Sequence, residues 1–70
     1  MTRYLVVIEE TSTGFSAYLP DLPGVVALGT TRDEVSVRIR EAADAYAEEM
    51  AALGQRLPDP VAATGTIQAA

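Results

Sequence analysis

The side chains of this 70-residue sequence that could do chemistry are ten carboxylates, five arginines and three serines. There is no histidine and no cysteine. Imidazole general bases, thiol nucleophiles, disulfides and thiolate zinc sites are therefore outside what the chain can supply. Ser12, Ser16 and Ser36 have no histidine to activate them as nucleophiles. Any catalysis would have to rest on the carboxylates.

Carboxylates hold catalytic metals when several of them converge on one point, as in two-metal nucleases. Glu9 and Glu10 are neighbours on a predicted strand and so point to opposite faces. Asp21 lies in a predicted loop, and no glycine-rich phosphate loop joins a strand to a helix. We therefore expect no enzyme, no metal site and no cofactor.

Negative charge is concentrated in the second half of the one predicted helix, at Glu41, Asp44, Glu48 and Glu49, with no basic residue among them. Acidic groups near a helix C-terminus oppose the helix dipole, and Asp44 and Glu48 form a like-charged i,i+4 pair. Helix stability does not explain this pattern. Two interpretations remain open: a solvated face that keeps the protein soluble, or a binding surface for a basic partner.

The elements that would position these groups are three strands and a helix. The strands are predicted at Arg3–Glu9, Phe15–Leu19 and Val25–Thr30, and the helix from about Arg32 to Leu53. Thr31 and Glu34 form a capping box at the helix start, and Gly54 follows its end. Gly29 indicates a bulge or a close backbone approach. The core-facing helical positions are Val35, Ile39, Ala42, Ala43, Tyr46, Met50 and Leu53.

This order predicts a two-layer α+β domain with a mostly antiparallel sheet of three or four strands and one helix on one face (β-β-β-α-β). The domain is predicted to cover residues 1–60. Residues 61–70 are predicted to be a short edge strand, around Thr64–Gln68, or a flexible tail.

One sheet face stays uncovered because a single helix can cover only the other. Leu5 and Val7 are expected on the uncovered face, with Tyr18 opposite them. A 70-residue chain has a marginal core, and association is the supplement available without disulfides or metals. We therefore expect a homo-oligomer with Leu5, Val7 and Tyr18 in its interface.

The segment Pro20-Asp21-Leu22-Pro23-Gly24 is predicted to be a stiff loop, since its two prolines fix φ. It has a structural interpretation, as a connector between strands. It also has a functional interpretation, as a preorganised partner-binding probe with Asp21 as an acceptor and Leu22 as an apolar anchor.

The segment from Gly14 to Gly24 (GFSAYLPDLPG) resembles the signature of the HicB-like antitoxin family. The resemblance continues in the strand Tyr4–Glu10, in the helix start at Thr31–Val35 and in the Gly54–Pro60 exit, and it covers residues 3 to 60. Val25 stands where the family often has cysteine, and Thr30 where a different polar residue is usual.

The resemblance implies a partial ribonuclease-H-like fold and an antitoxin of a type II pair. Such a protein binds and inhibits a small basic HicA-type toxin that cleaves mRNA. We expect the loop and the acidic half-helix to contact it, through Pro20, Asp21, Leu22, Pro23, Glu41, Asp44, Glu48 and Glu49. The alternative is a stand-alone homo-oligomeric domain without a toxin partner.

Many family members also carry a C-terminal DNA-binding segment. The sequence ends at Ala70 without such a segment, and ten acidic residues outnumber five arginines. We therefore expect no direct nucleic-acid binding by this chain alone. No stretch approaches the roughly 20 apolar residues of a membrane span, and the N-terminal apolar run is too short for a secretory signal. A cytoplasmic location is expected.

Overall fold

The computed structural model describes residues 3–69, which form three strands and one helix. The elements are β1 (Val7–Thr11), β2 (Gly14–Tyr18), β3 (Val26–Gly29) and α1 (Arg32–Ala52). The strands lie in the order β1-β2-β3, and both neighbouring pairs are antiparallel. The predicted α+β architecture of an antiparallel sheet followed by one helix is confirmed.

The first hairpin is tighter than the sequence suggested. β1 pairs with β2 from Val7 opposite Tyr18 to Thr11 opposite Gly14, so only Ser12 and Thr13 form the turn. β1 accordingly starts four residues later than predicted and ends two residues later. Residues before Val7 would need ladder partners beyond Tyr18, where Pro20 has no N–H to offer.

The core consists of six buried apolar residues from β2, the loop that follows it and α1. They are Ala17, Leu19, Leu22, Val25, Val35 and Ile39. Tyr4, Ile8, Phe15, Ala27 and Leu57 pack around them, together with Ala42, Ala43 and Tyr46 of the helix. Phe15, Ala17 and Leu19 alternate with Ser16 and Tyr18, so the three side chains that contact the core lie on one side of the chain.

The helix begins as its capping sequence predicts, with one change of partner. Thr31 is the N-cap, and the Glu34 backbone N–H donates to its Oγ1 at 3.0 Å. The Glu34 carboxylate accepts from the backbone N–H of Thr30 at 2.9 Å, one residue earlier than the predicted partner Thr31. The return bond therefore fixes the chain just before the cap, where it leaves β3.

The helix ends in a Schellman motif. Gly54 has φ 71°, and the Gln55 N–H donates to the Met50 carbonyl at 2.9 Å while the Gly54 N–H donates to that of Ala51 at 3.0 Å. The left-handed conformation suits glycine because it has no Cβ. The helix stops at Ala52, within one residue of the prediction.

The helix runs antiparallel over β3. Arg38 donates from Nη1 to the Leu28 carbonyl at 2.9 Å. A Cβ on Gly29 would lie 2.8 Å from the Val35 nitrogen. Gly29 therefore allows the first turn of α1 to contact the strand, which confirms the predicted close approach. Leu53 is 64% exposed, so its predicted core position is wrong. The last turns extend beyond the four-residue β3.

The segment after the helix returns to the sheet without adding a strand. Leu57 packs on the core, and the Tyr4 hydroxyl donates to the Pro58 carbonyl. Residues 61–69 form no strand, so the predicted edge strand at Thr64–Gln68 is absent from the part of the chain that the structure describes. Residues 1, 2 and 70 lie outside the described residues. The ribonuclease-H-like topology and the domain boundary at residue 60 stay predictions.

Candidate protein-binding surfaces

The loop between β2 and β3 is held by backbone hydrogen bonds. The Leu22 N–H donates to the Leu19 carbonyl at 3.1 Å, and the Val25 N–H donates to the Leu22 carbonyl at 3.2 Å. The Leu19 N–H in turn donates to the Val25 carbonyl at 3.4 Å. Two consecutive tight turns are therefore enclosed within seven residues, and the prolines between them restrict the chain further.

Leu22 is only 1% exposed and belongs to the core. Its expected role as an exposed anchor for a partner is therefore wrong. The physical reason is that the two turns reverse the chain and direct this side chain into the buried core cluster. Burial of one leucine offsets part of the cost of ordering the loop.

Asp21 is half-buried, and its carboxylate accepts from the Ala62 backbone N–H, at 3.1 Å to one oxygen and 3.3 Å to the other. This carboxylate is committed to holding the C-terminal segment against the loop. Pro20 and Pro23 are exposed. Of the four loop residues expected to bind a partner, these two offer their side chains to solvent most fully.

The four expected acidic residues of α1 are all exposed. At 3.6 residues per turn, Glu41, Asp44 and Glu48 fall on one stripe, on the opposite side of the helix from Val35 and Ile39. We call this stripe the acidic helix face. Glu49 points in a different direction, rotated around the helix axis by about a quarter-turn or more from these three side chains. The stripe points away from the sheet and is available to a partner along about two helical turns.

The carboxylates of the acidic helix face form no ion pair within residues 3–69. Within residues 3–69 the structure has one ion pair, Arg38 Nη1 to Glu34 Oε1 at 3.2 Å. That carboxylate caps the helix start and lies about two turns before Glu41. Arg40, four residues before Asp44, forms no ion pair with it. An unpaired row of carboxylates produces a negative potential that attracts cationic partners.

The Glu34 carboxyl group at the helix start has a lowered pKa. The hydrogen bond from the Thr30 backbone N–H lowers its pKa below the ordinary value of 4.5. Partial desolvation opposes this lowering of the pKa, and the Arg38 guanidinium and the Thr30 hydroxyl reinforce it. These contacts favour the charged form of Glu34 at the helix start.

The loop and the second half of α1 lie toward the same end of the molecule. The Arg38–Leu28 bond and the Gly29–Val35 contact show that rising helix numbers follow falling β3 numbers. The helix therefore runs back toward the end of the sheet where Tyr18 leads into the loop. The structure brings the two predicted partner-binding segments to one end, although it buries Leu22 there.

The sheet face away from the helix carries exposed apolar side chains next to polar Glu9, Thr11 and Ser16. Alternation from buried Ala17 places Tyr18 on it, and the register places Val7 and Val26 beside Tyr18. Tyr18 is 39% exposed, Val26 65% and Leu28 68%. We call Val7, Tyr18, Val26 and Leu28 the open sheet face. Leu5, predicted to belong there, is half-buried and precedes β1.

Sequence reasoning missed Val26 and Leu28, although a signal was present. Strict alternation along Val25–Thr30 assigns Val25 and Ala27 to one face and Val26 and Leu28 to the other. The first pair is buried or half-buried and the second pair exposed. The alternation of the third strand therefore predicts the part of this surface that Val26 and Leu28 form.

Two further observations describe the chemistry that residues 3–69 offer. No group of three or more acidic side chains in this range is arranged to hold a metal ion. The single helix, with its many charged residues, is too polar to cross a membrane.

A comparison with known protein families identifies the family of this chain. Residues 4–70 match the family described as the HicB-like antitoxin of bacterial toxin-antitoxin systems. The chain belongs to this family. The match covers nearly all of the HicB-like chain, including the exit loop and the segment that Asp21 holds. Comparisons with curated proteins and with solved structures give no significant match.

Proposed function

We propose that this HicB-like chain is a cytoplasmic antitoxin that binds and inhibits a small basic HicA-type toxin which cleaves mRNA. Membership of an antitoxin family supports a role within a toxin-antitoxin pair. The acidic helix face is the observation that carries the choice of partner. It is exposed, lacks ion-pair partners within residues 3–69 and belongs to a chain of net charge −5.

The proposed mechanism is stoichiometric occlusion. A protein that binds RNA needs cationic groups to contact phosphates. Glu41, Asp44 and Glu48 would pair with those groups and so occupy the positions that phosphates require. Complementary charge of this kind raises the association rate and excludes partners of the wrong sign. Glu49 and the exposed Pro20 and Pro23 would extend the contact around the end of the helix.

The loop contributes to this proposal as a rigid support. Leu22 anchors it in the core, and Asp21 binds the C-terminal segment. A surface fixed in this way loses little conformational entropy when a partner binds. Its proline side chains are thus presented in one geometry.

Co-expression with a neighbouring gene product tests the proposal. A tagged chain should retain a small basic protein through purification, and an RNA-cleavage assay should show activity that falls to zero at one antitoxin chain per toxin chain. Retention with undiminished RNA cleavage would contradict inhibition. A purified chain that self-associates and binds no such protein would favour the alternative, a homo-oligomeric domain without a toxin.

A further inference from the structure

We propose that a groove between α1 and the N-terminal segment, residues 3–6, binds a small organic anion, an apolar body that carries one carboxylate group. The groove has a volume of about 610 Å³, and ligand pockets of proteins measure about 300–1,000 Å³. Its lining includes Arg3 and Tyr4 of the N-terminal segment and Arg40 and Ala43 of the helix. The proposal goes beyond the proposed function and does not depend on whether a toxin binds.

The groove exists because one helix is too narrow to cover three strands. α1 packs on β2 and β3, and β1 lies on the far side of β2. Strands are about 4.8 Å apart and a helix with its side chains is about 10 Å wide, so the helix covers about two of them. A space is left beside β1, with Ile8 of that strand on one side and the helix flank of Ser36 and Arg40 on the other.

The floor of the groove matches an apolar body. Leu19 and Ile39 line the groove and belong to the core, and Tyr4 and Ile8, which also line it, pack against that core. Val6 is 36% exposed and lines the same groove. A ligand that covers these side chains removes apolar surface from water, which favours association. Because a ligand that binds only the folded state stabilises it, the marginal core of this short chain should gain stability from the complex.

Charge selects an anion as the occupant. Two of the five arginines of the chain line the groove, but only one of its ten acidic residues, Asp44, does so. Two arginines against one aspartate leave the groove with a net charge of +1, in a chain whose net charge is −5. One negative charge on the ligand balances this charge, whereas a second would be repelled by Asp44. A monocarboxylate is therefore favoured over a phosphate dianion.

Arg3 and Arg40 are available to bind the carboxylate. Both are exposed, and neither forms an ion pair within residues 3–69. Arg38, by contrast, is engaged by a backbone carbonyl and an ion pair, and it lies about 200° around the helix from Arg40. The Ser36 hydroxyl already donates to the Arg32 carbonyl at 2.8 Å. The carboxylate is therefore left to the two guanidinium groups, each of which can bind it through two parallel N–H groups.

Two carboxylate probes and their uncharged counterparts test the chemistry of the occupant. Octanoate has an aliphatic body and naphthoate an aromatic one, and octanol and naphthalenemethanol are the matched alcohols. In an NMR titration at least one carboxylate should bind with a Kd below about 1 mM and shift the amide signals of residues 3–8 and 36–44. Its alcohol should bind about tenfold more weakly or worse, because it lacks the charge-assisted hydrogen bonds. The melting temperature of the chain should rise with the carboxylate concentration.

Two double variants of equal charge test the role of the arginines. Arg3→Gln with Arg40→Gln removes both from the groove, and Arg32→Gln with Arg56→Gln removes two exposed arginines elsewhere, so that both variants have a net charge of about −7. The groove variant should weaken carboxylate binding by about tenfold or more. The control should weaken it by less than about threefold. Circular dichroism should show an intact helix in both variants.

Four results would overturn the proposal. The first is that neither carboxylate binds at about 1 mM, and the second is that the alcohols bind as tightly as the carboxylates. Equal weakening in both double variants would assign the effect to net charge. Amide shifts confined to the surroundings of Val26 and Leu28 would place the probe on the open sheet face instead of in the groove.

Discussion

At Glu34 one side chain joins the helix cap to the strand before it. Its carboxylate accepts from Thr30, while its own backbone N–H donates to Thr31. Because the Thr30 bond lowers the pKa of Glu34 in the folded state, the charged form is the one that stabilises the fold. The two ends of this residue thus act together at the point where β3 becomes α1.

Glu34→Gln should show this linkage as a pH dependence. The stabilisation from the charged form is fully present above the ordinary pKa of 4.5 and is lost as pH falls through the lowered folded pKa. Thermal unfolding from pH 7 to pH 3, a span about that of carboxyl titration, should show the wild type more stable at neutral pH. The difference should shrink toward zero in acid. Glu41→Gln controls for the loss of one charge on the same helix. A difference that is constant with pH would contradict the argument.

Leu22→Ala should act on the fold and not on a binding contact. Leu22 is 1% exposed, so truncation leaves a cavity in the core and should cost about 2–5 kcal/mol of unfolding free energy. Leu53→Ala makes the same change at a 64% exposed position and should cost far less. Urea denaturation measures both. Unchanged stability together with faster dissociation of a partner would restore the anchor hypothesis.

At the scale of elements, signals between residues close in sequence predicted the helix ends well. Features that depend on contacts between distant residues were predicted less well. The predicted and observed ends of the helix agree to within one residue. Thr31 and Glu34 specify its start and Gly54 its end, through contacts between residues close in sequence. β1 was predicted to start too early, because its length depends on where β2 offers backbone hydrogen-bond partners. Pro20 has no backbone N–H, so the pairing does not continue past Val7 and Tyr18. Leu22 was predicted to contact a partner, but it is buried. The direction of a loop side chain depends on the turns around it, and a loop has no periodic sequence pattern from which that direction can be predicted.

The acidic helix face was predictable as a pattern, whereas the open sheet face was predictable only in part. Glu41, Asp44 and Glu48 follow helical spacing, so their common direction can be derived from the sequence. The pairing of Val7 with Tyr18 was expected and is confirmed. Alternation along β3 separates Val26 and Leu28 from Val25 and Ala27, and the β2–β3 register assigns Val26 and Leu28 to the face of Tyr18.

Replacing Asp44, Glu48 and Glu49 together by Gln tests the helix as a binding element. The helix should be unchanged or slightly more stable, because these charges oppose its dipole and one another. Association with a basic toxin should slow, and its dependence on salt should flatten. Stopped-flow measurements at several ionic strengths give both quantities.

The matched control replaces Glu9, Glu10 and Asp59 by Gln. These three are also exposed, and their replacement gives the same net charge of about −2. A specific helix surface predicts that the control associates nearly as fast as the wild type. Equal slowing of both variants would assign the effect to net charge, and unchanged rates in the helix variant would identify a solvated face.

For the whole molecule, the two surfaces lie on opposite layers and have opposite character. One is charged and belongs to the helix, and the other is apolar and belongs to the sheet. The homo-oligomer expected from the sequence, if it pairs through the open sheet faces, would have four layers in the order helix, sheet, sheet, helix. With layers about 10 Å apart, the two helix axes are on the order of 30 Å from each other. The acidic helix faces then point outward in opposite directions.

This geometry, together with the proposed function, predicts a complex of two antitoxin chains with two toxin chains. Neither toxin reaches the other's site, so the two sites should bind independently and with equal affinity. Native mass spectrometry should give the two-to-two mass, and titration calorimetry should fit one class of sites. The double variant Val26→Thr with Leu28→Glu, which changes only the open sheet face, should form a one-to-one complex of nearly wild-type affinity per site, since its helix is untouched. One toxin bound per two chains would contradict the outward arrangement, and loss of toxin binding by this double variant would mean that the toxin itself covers the sheet.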